Sequence, residues 1–180
     1  MLIFVPGLIC DARIYAPQTA AFHESLAVDG FGLADSLPAM ARIVLEAADR
    51  GGAAQFDLFG HSMGGRIALE VFRLAPQRVR RLALVSTGVH PLAEGEAAKR
   101  TALMAIGHEQ GFPVLVDRWL TPMVAPANRA KPEIWQPMLE MCLAQGQAKF
   151  DCQIRALVSR PAVDEPPAEV LVALELPAER

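Results

Sequence analysis

The segment Phe56-Asp-Leu-Phe-Gly60-His61-Ser62-Met63-Gly64-Gly65 constrains the fold of this chain more than any other. An apolar run rich in strand formers passes directly into Gly-x-Ser-x-Gly and then into a stretch of helical period. A strand can turn into a helix this abruptly only if the two backbones crowd together, so the side chains at the corner must be minimal. Gly60, Gly64 and Gly65 meet that demand and leave the Ser62 hydroxyl projecting at the carboxyl edge of a sheet. A serine that merely capped a helix would not call for glycine on both sides. Neither Gly-Lys-Ser/Thr nor Gly-x-Gly-x-x-Gly occurs here, so no nucleotide is implied, and no other cofactor is expected.

From residue 1 to about residue 86, short apolar runs alternate with longer stretches of helical period. This is the pattern of an α/β fold with a mostly parallel sheet of four to five strands and crossover helices. Strands are expected at Leu2 to Val5, Leu26 to Val28, Phe56 to Phe59 and Leu82 to Val85. Ser36 is placed to cap a helix from Leu37 to Asp49 that stops at Gly51-Gly52. After Gly64-Gly65 a second helix carries Ile67, Ala68, Val71, Phe72 and Leu74 as an apolar stripe. Arg66, Glu70, Arg73 and Gln77 recur opposite that stripe and read as a solvated face.

The alternation stops after Val85. Residues 89 to 159 read as an inserted helical layer, interrupted by Pro91, Gly111-Phe112-Pro113, Pro122, Pro126, Pro132 and Gly146. Trp119, Trp135, Met104, Met123, Met138 and Met141 fall in it, as a malleable roof over a ligand or as ordinary helix packing, and packing is the simpler reading of any one of them. Arg160 to Arg180 is rich in proline at first and then offers one short apolar run, Val170 to Leu174, as a short strand or a helical turn.

The formal charge of −3, from 17 Lys and Arg against 20 Asp and Glu without a block of like charges, gives no electrostatic footprint for nucleic acid or an anionic membrane. The apolar runs are too short to span a bilayer, and the N-terminus has no basic flank or cleavage site, so a soluble cytoplasmic protein is expected. Cys10, Cys142 and Cys152 fit neither a disulfide framework nor a zinc site, and no metal is expected.

A second informative segment is Phe4-Val5-Pro6-Gly7-Leu8-Ile9-Cys10-Asp11, where the first strand breaks into a glycine-containing loop. Such a loop can aim the Leu8 N–H, together with the N–H of Met63, at a developing oxyanion. Cys10 reads as a small buried filler.

Pro6-Gly7-Leu8-Ile9-Cys10-Asp11-Ala12-Arg13 and Gly60-His61-Ser62-Met63-Gly64-Gly65, with Ser86-Thr87-Gly88 after the fourth strand and a helical insertion beyond, resemble the α/β-hydrolase superfamily, in particular its compact carboxylesterases and lactonases. The resemblance covers roughly residues 1 to 161. It implies that Leu2 to Val5 matches the family's third strand, Ser62 its nucleophile, and Leu8 and Met63 its oxyanion donors. It also implies one domain in three parts: a core at 1–88, a helical cap at 89–147, and a return helix with a degenerate C-terminal segment at 148–180. The two leading strands of the usual fold are missing.

The family orders its triad as serine, a late acid, then a histidine near the C-terminus. Here His23, His61, His90 and His108 are the only histidines, and each reads more simply as a surface or packing residue; His90 is the least implausible substitute base. Nothing after Pro161 reproduces the acid's turn; Asp151, Asp164 and Glu165 read as solvated charges, and Glu175 is a faint candidate. The similarity fades at Arg160-Pro161, as a truncated or frameshifted product would. The expected function is hydrolysis of a small apolar ester or lactone through an acyl-enzyme on Ser62. The alternative is a catalytically impaired fragment or pseudoenzyme that binds a ligand, or self-associates through an exposed edge of its unfinished sheet. A lyase or cofactor-free oxidase on the same scaffold meets the same objection of a missing late histidine.

Overall fold

The computed structural model describes residues 1–88, 90–160 and the backbone of 171–174. In chain order the elements are β1 (Leu2–Val5), α1 (Ala16–Ala21), β2 (Ser25–Ala27), α2 (Leu37–Arg50), β3 (Phe56–His61), α3 (Met63–Leu74) and β4 (Val79–Val85). They continue with α4 (Glu96–Gln110), α5 (Phe112–Leu120), α6 (Pro126–Arg129), α7 (Pro132–Val158) and β5 (Leu171–Leu174). The five strands form one parallel sheet in the order β2-β1-β3-β4-β5.

That order follows from the chain's crossovers. β2 lies on one side of β1 and β3 on the other, so the winding reverses between β1 and β3. Crevices outside the carboxyl ends of strands at such a reversal are where open α/β sheets bind ligands. Alternation along the strands divides the core between two faces. Ile3, Val5, Phe56 and Leu58 join the core cluster together with Met40, Val44, Ile67 and Val71 from α2 and α3. Phe4 instead stacks on Tyr15, with ring centroids 4.9 Å apart, and meets Phe59 edge-on at 5.5 Å.

Ser36 caps α2 as expected, its side chain accepting from the Ala39 N–H, and Gly51 ends the helix. The expected strands are all present, with β3 and β4 longer and β2 displaced by one residue. Helix α3 starts at Met63, so Gly64 and Gly65 lie inside its first turn.

The reading of Arg66 and Glu70 as solvated is corrected. Arg66 and Glu70 do not form a solvated face; they are only 6% and 3% exposed. Helix α3 is the central helix, packed on β1, β3, β4 and α2, so more of its circumference is covered than its amphipathic stripe suggests. Leu69 is buried while Leu74, at the helix end, is exposed. Glu70 is satisfied by a paired hydrogen bond from Arg73, the one charge of the three that does reach solvent. β5 pairs with β4 from Leu82↔Leu171 to Val85↔Leu174, so β5 is the terminal strand on that side of the sheet among the described residues.

The helical layer lies between β4 and β5 in the chain. α4, α5 and α7 pack on one another, and α7 breaks at Gly146, whose φ of 75° and ψ of 164° are not helical. Leu115, Val116, Met141, Cys142 and Phe150 bring this layer into the same core as the sheet. Asp151 departs from its expected solvated state: it is 9% exposed and bonded to His108 Nε2 at 2.8 Å and to Gln147 Nε2. Asp164, Glu165 and Glu175 lie outside the described residues.

Candidate active site

A cavity of about 360 Å³ opens at the carboxyl ends of β1, β3 and β4. Each strand delivers one wall: Gly7 and Leu8 after β1, His61 and Ser62 at the end of β3, and Ser86 and Thr87 after β4. Trp119, Met123 and Met138 from the helical layer close the opposite side, whereas Met104 and Trp135 pack against the core and Met141 is buried within it. The layer's large side chains thus divide between roof and packing.

Ser62 occupies the corner between β3 and α3 with φ 55° and ψ −120°. Its N–H donates to the Val85 carbonyl at 2.9 Å and its carbonyl accepts from Gly65 N–H at 3.1 Å, so the corner is held from both sides. A Cβ at Gly60 would lie 2.5 Å from the Gly64 carbonyl oxygen, and one at Gly64 would run into the Val5 carbonyl oxygen. No side chain fits either gap without moving backbone. Positive φ recurs at Ile9 (45°) and Ser86 (49°). All three non-glycine residues with this conformation among the described residues therefore sit in or beside the loops that build the cavity. Each such conformation costs about 1–3 kcal/mol and persists only where its surroundings enforce it.

The β1 loop is held against Ser62 by contacts distant in sequence. A Cβ on Gly7 would come 3.5 Å from Ser62 Cβ. Ile9 N–H donates to Gln153 Oε1 at 2.7 Å, and Gln145 Nε2 donates to Asp11 Oδ2 at 2.8 Å, so two α7 glutamines grip the loop. Burial works against ionisation of Asp11, but hydrogen bonds from Arg13 and Gln145 outweigh it and hold the carboxyl below its ordinary range. These glutamines carried no signal in the sequence, where nothing marks them among the polar residues of the last long helix.

Leu8 and Met63 both line the cavity beside Ser62. Among the described residues no protein acceptor takes the backbone N–H of either. Met63 is the first residue of α3, where the orphan N–H groups and the helix dipole favour negative charge. Cys10, expected to be buried filler, is only half-buried and also reaches the cavity. Its hydrogen bond with Cys142 and then its burial push the thiol pKa up, which works against thiolate formation.

His61 and His90 line the cavity and His23 and His108 do not. His90 Nδ1 is 2.9 Å from the Pro91 carbonyl oxygen, and its ring lies over Gly88, where a Cβ would stand 2.6 Å from Nε2. Among the described residues no histidine or carboxylate is hydrogen-bonded to the Ser62 hydroxyl. Among the described residues no group of three or more His, Cys, Asp or Glu could hold a metal ion, and no helix is long and apolar enough to cross a membrane.

The cavity also holds charge that periodicity alone had assigned to solvent. Arg66 lines it, and its Nη1 donates to the His90 carbonyl at 2.9 Å. Glu96, on the same wall, accepts from Arg100 Nε at 2.9 Å and from both terminal nitrogens of Arg160 at 2.8 and 2.6 Å. Arg160, and after it Arg100, hold the Glu96 carboxyl far below the ordinary range against its partial burial. Burial first, then the positive charge of Arg160, brings Arg66 down to about 10.

Fold and corner together define an α/β-hydrolase. The chain matches the alpha/beta hydrolase fold family over residues 21–112, just over half its length, and belongs to that family. Among solved structures it is similar to a thermophilic esterase from Thermogutta terrifontis, with a TM-score of 0.80 and 19% identity over 97% of this chain and 70% of that one. It is likewise similar to an enol-lactonase from Burkholderia xenovorans LB400, with a TM-score of 0.75 and 18% identity over 89% of this chain and 65% of the other. At these identities the likeness is one of fold. A curated relative, the dihydrolipoyllysine-residue acetyltransferase component of the acetoin cleaving system of Pseudomonas putida, is 37% identical over an aligned length of 106 residues that covers 54% of this chain and 28% of that protein. The chain therefore spans under a third of its curated relative and about two thirds of these structures.

Proposed function

We propose that the chain acts on small carboxylic esters or lactones through Ser62. In this reading the Ser62 oxygen attacks the carbonyl carbon, the carbonyl oxygen takes the negative charge facing the Leu8 and Met63 N–H groups, and the alcohol leaves with a proton. Water then cleaves the acyl ester and restores the serine hydroxyl. The observation that carries the reading is a serine at positive φ beside two backbone N–H groups that no protein acceptor occupies among the described residues. Such strain is retained where the surrounding structure imposes it, commonly at reacting groups.

Among the described residues no base is hydrogen-bonded to the Ser62 hydroxyl. Loss of the base from an intact triad costs on the order of 10⁶ in turnover, with a residual rate from binding and the oxyanion site. The test is a fluorophosphonate probe followed by peptide mass spectrometry, with hydrolysis of p-nitrophenyl acetate as a second readout. Slow labelling of Ser62 that is absent in Ser62→Ala is expected. No adduct after prolonged exposure, or an adduct on another residue, would overturn the reading and leave a binding module. Labelling at the speed of intact serine hydrolases would instead mean that a base acts on Ser62, and His90→Ala would identify it.

A further inference from the structure

Arg66 is a guanidinium that is 6% exposed, lines the Ser62 cavity, and has one hydrogen-bond partner among the described residues, the carbonyl oxygen of His90. The neighbouring carboxylates are committed elsewhere. Glu70 is paired with Arg73, and both oxygens of Glu96 are taken by Arg100, Arg160 and the Ala93 N–H. Among the described residues three cations, Arg66, Arg100 and Arg160, thus surround a single anion, Glu96. A buried cation without a counter-charge costs several kcal/mol in real proteins, and an anion in the cavity relieves that cost.

Position within α3 makes the placement specific. Ser62 immediately precedes the helix and Arg66 follows four residues on, about 6 Å along the axis. Helical side chains lean toward the N-terminus, so Arg66 lies over the turn that begins at Ser62. An acyl group whose carbonyl sits at Ser62 therefore meets the guanidinium only a few bonds further along. The cavity, at the small end of ligand sites, suits a short chain between the two.

We propose that the Ser62 cavity selects esters carrying a second, ionised carboxylate, such as half-esters of short dicarboxylic acids, with Arg66 holding that carboxylate. Glu96, by engaging Arg100 and Arg160, leaves Arg66 as the cation open to the ligand. This deepens the proposed ester-cleaving function and amends its apolar substrate to one with an anionic end.

Binding to the full chain carrying Ser62→Ala separates recognition from turnover. Titration calorimetry with monomethyl succinate and with dimethyl succinate is expected to give at least tenfold tighter binding of the half-ester. Adding Arg66→Met should bring that ratio to about one, while Arg66→Lys, which keeps the charge, should retain part of the preference; circular dichroism checks that each variant is folded. Equal affinity for the two ligands in the Ser62→Ala protein overturns the proposal. That comparison needs no change at Arg66, so it decides even if the Arg66 variants fail to fold. A half-ester preference without Ser62-dependent hydrolysis of either compound would sink the ester-cleaving reading and leave the anion site standing. Hydrolysis without the preference would do the reverse.

Discussion

The sheet half of the molecule and its helical layer are held by different physics. In residues 1–88, backbone approaches backbone so closely at Gly60 and Gly64 that a single methyl group has no room, and buried apolar side chains fill both faces of the sheet. The layer from Glu96 to Val158 contributes apolar side chains to the same core but is tied to the cavity through polar groups: Gln153 to Ile9, Gln145 to Asp11, and Arg160 to Glu96. Close packing fixes the corner on which Ser62 stands, and polar contacts set the loop and the charge that face it. The first arrangement tolerates almost no change in volume; the second is sensitive to charge and to lost partners.

That contrast can be broken by substitutions that strike one half and not the other. The largest effect is expected for Gly64→Ala, which drives a Cβ into the Val5 carbonyl oxygen. Backbone must move at the heart of the sheet, and a loss of about 4 kcal/mol or failure to fold should appear in urea unfolding. If the variant were as stable as the parent, the tight corner would be misdescribed.

Glu96→Gln should cost about 2 kcal/mol at neutral pH, since it leaves Arg160 and Arg100 without their carboxylate. Its pH dependence follows from the lowered Glu96 pKa. A carboxyl depressed in the folded state adds stability above its unfolded value of about 4.3, and that stability is lost as the pH falls toward the folded value. Thermal melts of the two proteins should therefore lie well apart at pH 7 and converge toward pH 3. A constant gap across that range would mean that the carboxylate charge is not what Arg160 and Arg100 stabilise.

Gln153→Leu removes the acceptor of the Ile9 N–H and should cost about 1–2 kcal/mol for a buried donor left unpaired. If the loop carries an oxyanion donor, Ser62-dependent ester hydrolysis should fall through kcat, with KM little changed. Lower stability with an unaltered kcat would confine Gln153 to a structural role.

Much of the sheet half was legible because its signals are local. Leu2–Val5 has the bounds its apolar run indicates, Ser36 caps α2, and the glycines around Ser62 announce a corner. The reading failed where residues answer to partners far along the chain. Arg66 and Glu70 recur with helical period opposite an apolar stripe, which normally means solvent, yet α3 packs on three strands and on α2, and both residues are buried. Asp151 looked like a surface charge until α4 brought His108 to it, across 43 residues. The short apolar run from Val170 to Leu174 left strand and helical turn both open, and only pairing with β4 makes Leu171–Leu174 a strand.

The order of residues alone determined the parallel α/β architecture and the serine corner, since hydrophobic period, capping and the steric smallness of glycine act over a few neighbouring positions. Only the folded molecule decided which charges face the cavity and which loop is gripped. Burial, dielectric surroundings and hydrogen bonds between residues such as Glu96 and Arg160, or Ile9 and Gln153, exist only once distant segments have been brought together.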